Sequence, residues 1–280
     1  MTAPNFIGIG AQKCASTWLY EILLDHPDVC LSDPKELDFF SYAFHNGWQW
    51  YHRHFHCAAG TKAIGEISPS YFHEPAVPER VKRHLPQARI LLSLRDPVQR
   101  ALSNHKHEVR VGNFRGEDLS FEAGLRNNPS YLEQGMYATH LSRWLEHFPR
   151  HQIMIVIYDD ILSDPVAVAR SVFEFLQIDP QHVPAAMHQR SNASYIDRYR
   201  FLNAARKATK QTLQRMGLGS FWQLVSTSPM KAVYEKVNKR ASDAVIPPIS
   251  GETLTVLRGE FVGEIDRLEK MLGRELTSWH

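Results

Sequence analysis

A lysine and two hydroxyl residues follow the first apolar segment of the chain, in FIGIGAQKCASTWLYEIL (residues 6–23). The apolar run predicts a strand, and the small residues after it let the backbone approach a ligand closely. A helix N-terminus offers unpaired N–H groups and a positive dipole end, to which Lys13, Ser16 and Thr17 add donors. The segment therefore predicts a binding site for a phosphate or sulfate group.

An arginine and a serine follow a second apolar segment, in ILLSLRDPVQRALSNHKHEVR (residues 90–110). Asp96 and Pro97 end the predicted strand and begin a helix that carries Ser103 on its second turn. The planar donor fork of Arg95 suits a phosphate, and the serine adds a hydroxyl. We expect a second anion contact here.

The nucleoside-triphosphate P-loop is an alternative interpretation of the lysine loop. That motif has glycine before the lysine and a magnesium-binding hydroxyl directly after it, whereas Gln12 and Cys14 stand at these positions. In its favour, the apolar run IMIVIYDD ends in Asp159 and Asp160, which suit a metal ion. A Mg-ATP-dependent kinase or NTPase would lose ATP binding if either aspartate were removed.

Strands and helices alternate along the chain, which predicts an α/β fold with a mainly parallel sheet covered by helices on both faces. Apolar residues spaced by three or four before Gly273 predict an amphipathic C-terminal helix. The predicted strands are Phe6–Ile9, Ala63–Ile67, Ile90–Leu94 and Ile153–Tyr158, and the predicted helices are Ser16–Leu24, Val98–Arg110, Met136–Phe148 and Pro165–Leu176.

Composition is that of an ordinary globular protein, with 280 residues, 43% hydrophobic residues and a formal net charge of +2. No apolar window approaches the length of a membrane span, and we predict one domain over residues 1–280. Eleven basic and two acidic residues lie between Arg190 and Arg240, a balance of +9. We interpret 190–245 as a basic helical flap or insertion; a polyanion-binding module is a further hypothesis, although the low net charge argues against a nucleic-acid partner.

Three cysteines, Cys14, Cys30 and Cys57, lie in the first fifth of the chain. Because their number is odd and no signal peptide is evident, we expect reduced thiols and a cytoplasmic protein.

Two of these segments together resemble the cofactor motifs of sulfotransferases that use 3′-phosphoadenosine-5′-phosphosulfate (PAPS). QKCASTWLY (12–20) is similar to the 5′-phosphosulfate loop of that family and RDPVQRALS (95–103) to its 3′-phosphate motif. The resemblance implies a P-loop-like three-layer fold and sulfonate transfer without a metal. Further segments resemble bacterial and heparan-sulfate-type members: PKELDFF (34–40), GWQWYHRHF (47–55), EISPSYF (66–72), GMYATHLSRWLEHFP (135–149) and LGRELTSW (272–279).

The resemblance also implies roles for single residues. Glu36 matches the catalytic glutamate of the K-E-x-x-F-F segment and would be the general base, with Glu66 as second candidate; Lys13 would neutralise the leaving phosphate. Tyr137 and Tyr158 are expected to pack in the core, with lining of the cofactor site as the alternative. The cofactor-binding residues implied are Gln12, Lys13, Cys14, Ala15, Ser16, Thr17, Trp18, Arg95 and Ser103, with core packing the alternative for Trp18.

The acceptor is less well defined by the sequence than the donor. Phe40, Trp48 and Tyr71 are candidate acceptor-pocket residues, and the acceptor would be a glycan or a small molecule with a hydroxyl or, less favoured, an amine. Ile67 replaces the lysine that faces the acidic acceptor in heparan-sulfate enzymes. His52, His54 and His56 would share a face on a strand and bind a metal there, but the resemblance favours a helix.

Overall fold

The computed structural model describes residues 3–187, 195–197, 239–241 and 244–280. They divide into two compact units: residues 3–104, 128–187 and 251–280 form the first, and residues 105–127, 195–197, 239–241 and 244–250 belong to the second. The prediction of a single domain over residues 1–280 stays a prediction. Apart from two short strands and residues 244–245, the predicted basic flap lies outside the described residues.

The first unit is built on a five-stranded, all-parallel sheet, which confirms the predicted α/β class. Its strand order is β2-β3-β1-β4-β5, so β1 lies at the centre between β3 and β4. The strands are β1 (Phe6–Gly10), β2 (Val29–Leu31), β3 (Ala63–Ile67), β4 (Arg89–Leu94) and β5 (Ile153–Ile157). Four of them are the predicted strands with ends shifted by at most one residue; the three-residue β2 was not predicted.

Helices follow the strands along the chain. The long ones match the predictions, and Asp164 caps the helix at Pro165 as expected, its Oδ1 accepting from the Ala167 N–H at 2.9 Å. The helices are α1 (Ser16–Leu24), α2 (Trp48–His52), α3 (Val77–His84), α4 (Pro97–Val111), α5 (Phe121–Asn127), α6 (Ser130–Glu133), α7 (Tyr137–His147), α8 (Tyr158–Ser163), α9 (Pro165–Leu176) and α10 (Gly251–Leu272). No helix in the described part of the chain is both long and apolar enough to span a membrane.

The core of the first unit lies between the central strands and the helices that cover them. Phe6, Ile7 and Ile9 of β1 are fully buried, as parallel strands covered on both faces should be. The predicted apolar stripe of α10 buries Leu257, Phe261, Ile265 and Leu268, and Gly273 ends the helix with a φ of 65°.

The second unit comprises the end of α4, α5 and a small antiparallel ladder. Strands β6 (Tyr195–Asp197) and β7 (Lys239–Ala241) pair with Ile196 opposite Arg240. Burial lowers the pKa of His105, whose Nε2 lies 2.9 Å from the Leu119 carbonyl oxygen within the same unit.

Cys30 and Cys57 form a disulfide, so the expectation of three reduced thiols is wrong for this pair. The short strand β2 places Cys30 with its Cα 5.4 Å from that of Cys57, a separation that suits a disulfide. Cys14 is free and buried. The pairing removes the cysteine argument for a cytoplasmic location, which stays a prediction.

Candidate active site

The two predicted anion-binding segments lie at the carboxyl ends of neighbouring strands, β1 and β4. The Ala11 N–H donates to the Ser93 carbonyl oxygen at 2.7 Å, and the Ser93 hydroxyl donates to the Gly10 carbonyl oxygen at 3.0 Å. In open parallel sheets ligands bind at this edge, where connections leave in opposite directions. Here β1 and β4 are neighbours. The chain continues from β1 to β2 on one side of this pair and from β4 to β5 on the other side.

The loop from Gly10 to Ser16 contains two non-glycine residues with left-handed backbone angles. Lys13 and Ala15 have positive φ angles of 66° and 72°, which for non-glycine residues cost about 1–2 kcal/mol each. Helix α1 begins at Ser16 with no side-chain cap and no acid in its first turn. Its first N–H groups and the positive dipole end therefore suit an anionic ligand. Lys13 and Thr17 are partly exposed beside them.

Gly10 lets the end of β3 approach this loop. Its φ is 129°, and a Cβ there would lie 2.7 Å from the Pro69 carbonyl oxygen, so a side chain is excluded. The 3₁₀ turn Pro69–Tyr71 therefore packs directly against the start of the loop. A third strand end contributes residues to the same edge of the sheet.

Tyr137 joins the two predicted anion-binding segments. Its hydroxyl donates to the Arg95 carbonyl oxygen at 2.9 Å and lies 3.5 Å from the Cys14 Sγ. As predicted, the tyrosine is buried, and burial raises the pKa of both the Cys14 thiol and the Tyr137 hydroxyl. Cys14 is fully buried, and its N–H donates to the Ala11 carbonyl oxygen at 3.3 Å.

Arg95 is partly exposed and its guanidinium lies 4.7 Å from the centre of the Tyr158 ring. Tyr158, which the sequence assigned to the core, is itself only partly buried and begins α8 at the end of β5. Asp96 caps α4, its Oδ1 accepting from the Val98 N–H at 2.8 Å. Ser103, two turns into α4, is also partly exposed.

Lys35 connects Glu36 to Thr17 in the first turn of α1, directly after the loop that carries Lys13; the sequence alone did not predict this link. Its Nζ donates to the Thr17 Oγ1 at 3.1 Å and lies 3.0 Å from the Glu36 Oε1. The Glu36 side chain is 44% exposed, so its carboxylate stays open to an incoming acceptor. The available signal was the lysine that directly precedes the glutamate in PKELDFF.

Glu66, the second candidate base, has the opposite environment. Its carboxylate is fully buried and accepts from the Ser68 hydroxyl at 2.6 Å and from the Tyr71 hydroxyl at 2.8 Å. Burial raises the pKa of Glu66 to about 7, against the lowering effect of these hydrogen bonds. An enclosed carboxylate of this kind offers an acceptor no direct approach.

Several other predicted site residues are enclosed. Trp18 packs in the core and its Nε1 donates to the Met187 carbonyl oxygen at 3.0 Å, the placement expected of the core alternative. Phe40 and Tyr71 are fully buried, whereas Trp48 is partly exposed and stacks on His84 at 4.6 Å. Ile67 is buried in the apolar core, so this position presents no cation to an acceptor.

The histidines after Trp48 do not lie on a strand. His52 is the last residue of α2, and His54 and His56 follow it. Among the residues that the structure describes, one group of three side chains brings ligand atoms close enough for a metal, and it consists of Asp266, Glu269 and His280. That group is largely exposed and excludes the three histidines.

The two acids of the kinase alternative bind the C-terminal segment. Asp160 pairs with both terminal nitrogens of Arg274, at 2.5 and 2.7 Å. The Asp159 Oδ2 accepts from the Trp279 Nε1 at 3.0 Å and from the Ser278 hydroxyl at 3.1 Å. These carboxylates are hydrogen-bonded by the chain itself, and the hydroxyl needed directly after Lys13 is replaced by the buried Cys14.

The fold is that of a P-loop-like α/β protein, in which the first strand is followed by a loop and the N-terminus of a helix. The chain belongs to the sulfotransferase domain family, which matches residues 4–244. The kinase alternative is therefore not favoured.

Relatives among characterised proteins carry heparan sulfate sulfotransferase names. Bifunctional heparan sulfate N-deacetylase/N-sulfotransferase 3 of Homo sapiens is 28% identical over 300 residues, which cover 99% of this chain and 31% of the human protein. Heparan sulfate glucosamine 3-O-sulfotransferase 3B1 of Mus musculus is 33% identical over 181 residues, 62% of this chain and 46% of the mouse protein. The chain thus spans less than half the length of these relatives.

A solved structure shares the fold. The sulfotransferase from Alicyclobacillus acidocaldarius matches with a TM-score of 0.72 and 24% identity, over 100% of this chain and 99% of that chain. This likeness confirms the predicted three-layer architecture.

Proposed function

We propose that this protein transfers a sulfonate group from PAPS to a hydroxyl group of a carbohydrate or another small-molecule acceptor. One observation carries the proposal: the Lys13 loop and Arg95 lie at adjacent strand ends, joined through Tyr137, with Glu36 tied to the same loop by Lys35. Cations and N–H donors at two neighbouring positions match a donor that carries anionic groups at two positions.

The residues present fit this donor. The positive φ angles at Lys13 and Ala15 shape the loop, and the uncapped start of α1 leaves N–H groups for the phosphosulfate. Arg95 and Ser103 would hold the 3′-phosphate. PAPS supplies the activated sulfonate and a phosphate leaving group.

In this reaction each of these residues has a separate role. Lys13 neutralises the charge that develops on the leaving phosphate. Ser16 and Thr17, with the loop N–H groups from Gln12 onward, orient the sulfonate in line with the acceptor. Glu36 takes the proton of the acceptor hydroxyl, and its exposed carboxylate gives that hydroxyl access. Lys35 holds Glu36 beside the loop.

The identity of residue 67 bears on the charge of the acceptor. The named relatives act on heparan sulfate, an acidic glycan, yet Ile67 presents no cation at the corresponding position. We therefore propose a hydroxylated acceptor of lower negative charge. A screen of neutral and acidic glycans and small metabolites with ³⁵S-labelled PAPS measures this directly.

The donor is tested by isothermal titration of the purified protein with adenosine 3′,5′-bisphosphate in EDTA, beside a titration with Mg·ATP. We expect binding of the bisphosphate without a metal ion and no binding of ATP. The reverse result would identify the Lys13 loop as a divergent kinase loop.

A matched pair of lysine variants locates the binding site. Lys13→Ala should weaken bisphosphate binding about 10- to 100-fold, the value of a hydrogen bond to a charged group. Lys62→Ala, which removes a lysine before β3 at the opposite edge of the sheet, should leave it unchanged. Equal affinity in both variants, with affinity for polyanions that falls steeply with salt, would instead favour the polyanion-binding module.

A further inference from the structure

Two hydroxyl groups connect the buried Glu66 to the segment that carries Glu36. The Ser68 Oγ donates to the Glu66 Oε2 at 2.6 Å and accepts from the Asp38 N–H at 3.0 Å. The Tyr71 hydroxyl donates to the Glu66 Oε1 at 2.8 Å and accepts from the Phe40 N–H at 3.2 Å. The Glu66 carboxylate is thus linked to two backbone amides of residues 35–41. One oxygen is linked to the Asp38 N–H through Ser68, and the other to the Phe40 N–H through Tyr71.

The direction of these hydrogen bonds is fixed. A backbone N–H can only donate, so each hydroxyl oxygen accepts from it, and the single hydrogen of each hydroxyl remains for Glu66. Both carboxylate oxygens must therefore act as acceptors, which an ionised carboxylate provides. A side-chain amide has one acceptor oxygen only, so the Glu66→Gln variant would keep one of the two connections and lose the other.

The segment held in this way has a backbone that needs support. Glu36 and Asp38 have φ angles of 61° and 50°, in the left-handed region that non-glycine residues seldom adopt. Such conformations persist when surrounding contacts determine them. Further contacts hold the segment, among them the Ser70 hydroxyl, which donates to the Asp38 Oδ1 at 2.6 Å, and Arg80, which donates to the Phe40 carbonyl oxygen at 2.7 Å.

We propose that Glu66 is a positioning residue that fixes Glu36 for proton abstraction, acting through Ser68 and Tyr71 on the backbone of residues 35–41. The inference rests on the proposed function in so far as Glu36 is the base. Glu66 itself is enclosed and does not touch the acceptor.

The protonation state of Glu66 controls its hydrogen bonds to the Ser68 and Tyr71 hydroxyls. The titratable groups that face it are Tyr51 from α2, Tyr71 from the 3₁₀ turn and Asp38 from the supported segment. Burial keeps the pKa of both tyrosines well above its ordinary value, so they remain neutral. Because the pKa of Glu66 is raised to about 7, protonation below that pH turns one oxygen into a donor and weakens the connection that this oxygen accepts. Turnover should therefore fall below about pH 7.

Glu66→Gln tests the proposal, with Asp28→Asn as a matched carboxyl-to-amide change near the opposite edge of the sheet. At pH 8 we expect Glu66→Gln to bind adenosine 3′,5′-bisphosphate with unchanged affinity while kcat falls about 10- to 100-fold, the cost of a misplaced catalytic group. The decline of kcat below pH 7 should be absent in Glu66→Gln and present in Asp28→Asn. An unchanged kcat with an unchanged pH profile would overturn the proposal.

Hydrogen exchange of a peptide that covers residues 35–41 measures how firmly this backbone is held, independently of enzyme turnover. Protection of these amides should decrease in Glu66→Gln and not in Asp28→Asn, and equal protection in both would contradict the proposal.

If Glu66→Gln does not fold, Ser68→Ala and Tyr71→Phe each remove one connection and should each lower protection and kcat. Absence of bisphosphate binding and turnover in the unmodified protein would refute the proposed function instead, while the exchange result would still decide the role of Glu66.

Discussion

Glu36 and Glu66 have the same side chain but opposite environments. Glu36 is exposed and paired with Lys35, whereas Glu66 is enclosed by three hydroxyl-bearing side chains. An exposed carboxylate can receive a proton from an incoming acceptor, and an enclosed one can only act on the protein around it. Environment, not residue type, separates the two roles.

Neutralising Glu36 should separate donor binding from turnover. We expect Glu36→Gln to bind adenosine 3′,5′-bisphosphate normally and to lose turnover by about 10²–10⁴-fold, the contribution of a general base. Isothermal titration and a radiolabelled transfer assay measure the two effects on the same preparation. Normal turnover in Glu36→Gln would show that the base is another group.

Glu66 should make stability depend on pH. Because burial raises its pKa from 4.5 to about 7, the folded protein binds this proton more tightly than the unfolded chain does. Its contribution to the free energy of unfolding is therefore fully present below about pH 4.5 and lost as the pH rises through 7. The loss amounts to about 3 kcal/mol.

Urea unfolding at pH 5 and pH 8 checks this for the unmodified protein and Glu66→Gln. The free energy of unfolding of the unmodified protein, relative to the variant, should be higher at pH 5 than at pH 8. A difference that does not change with pH would mean that Glu66 does not titrate in this range.

Among the secondary-structure elements, the start of α7 joins two strand ends. Tyr137 is the first residue of α7, and its hydroxyl reaches the Arg95 carbonyl oxygen after β4 and the Cys14 thiol after β1. The spacing of the two anion-binding segments therefore depends on a helix that contributes no charge to either of them.

Tyr137→Phe removes this connection and leaves the partly buried Arg95 carbonyl group without this donor. We expect the free energy of unfolding to fall by about 1–3 kcal/mol, and the bisphosphate affinity to fall roughly tenfold as Arg95 moves relative to the loop. Urea unfolding and isothermal titration measure the two quantities. Loss of stability with full affinity would assign Tyr137 to packing alone.

For the molecule as a whole, the Cys30–Cys57 disulfide ties strand β2 to the segment after α2. The two cysteines are 27 residues apart, and a closed loop of that length should stabilise the fold by about 3.5 kcal/mol. Reduction should lower the free energy of unfolding by that amount. Urea unfolding with and without reductant measures it, and the Cys30→Ser, Cys57→Ser double variant should not respond to reductant. Equal stability of the unmodified protein in both conditions would argue against a structural disulfide.

Local sequence patterns are sufficient to predict most of the elements and the positions of Lys13 and Arg95 after two of the strands. Four strands, the long helices and the Asp164 cap follow from periodicity and capping, which are properties of consecutive residues. Lys13 lies between a strand and a helix, and Arg95 follows another strand. Both positions can be predicted from consecutive residues as well. The family resemblance added Glu36, which composition and spacing alone would have left as one acid among thirty.

Which of these residues meet depends on the tertiary structure. Strand β2 is three residues long, too short for a periodic signal, and with it the disulfide escaped prediction. The Lys35–Thr17 and Tyr137–Arg95 hydrogen bonds join residues 18 and 42 positions apart, so they depend on strand order and not on local pattern. The burial that raises the pKa of Glu66 comes from α2, β3 and residues 35–41 together, and no single segment of the sequence encodes it.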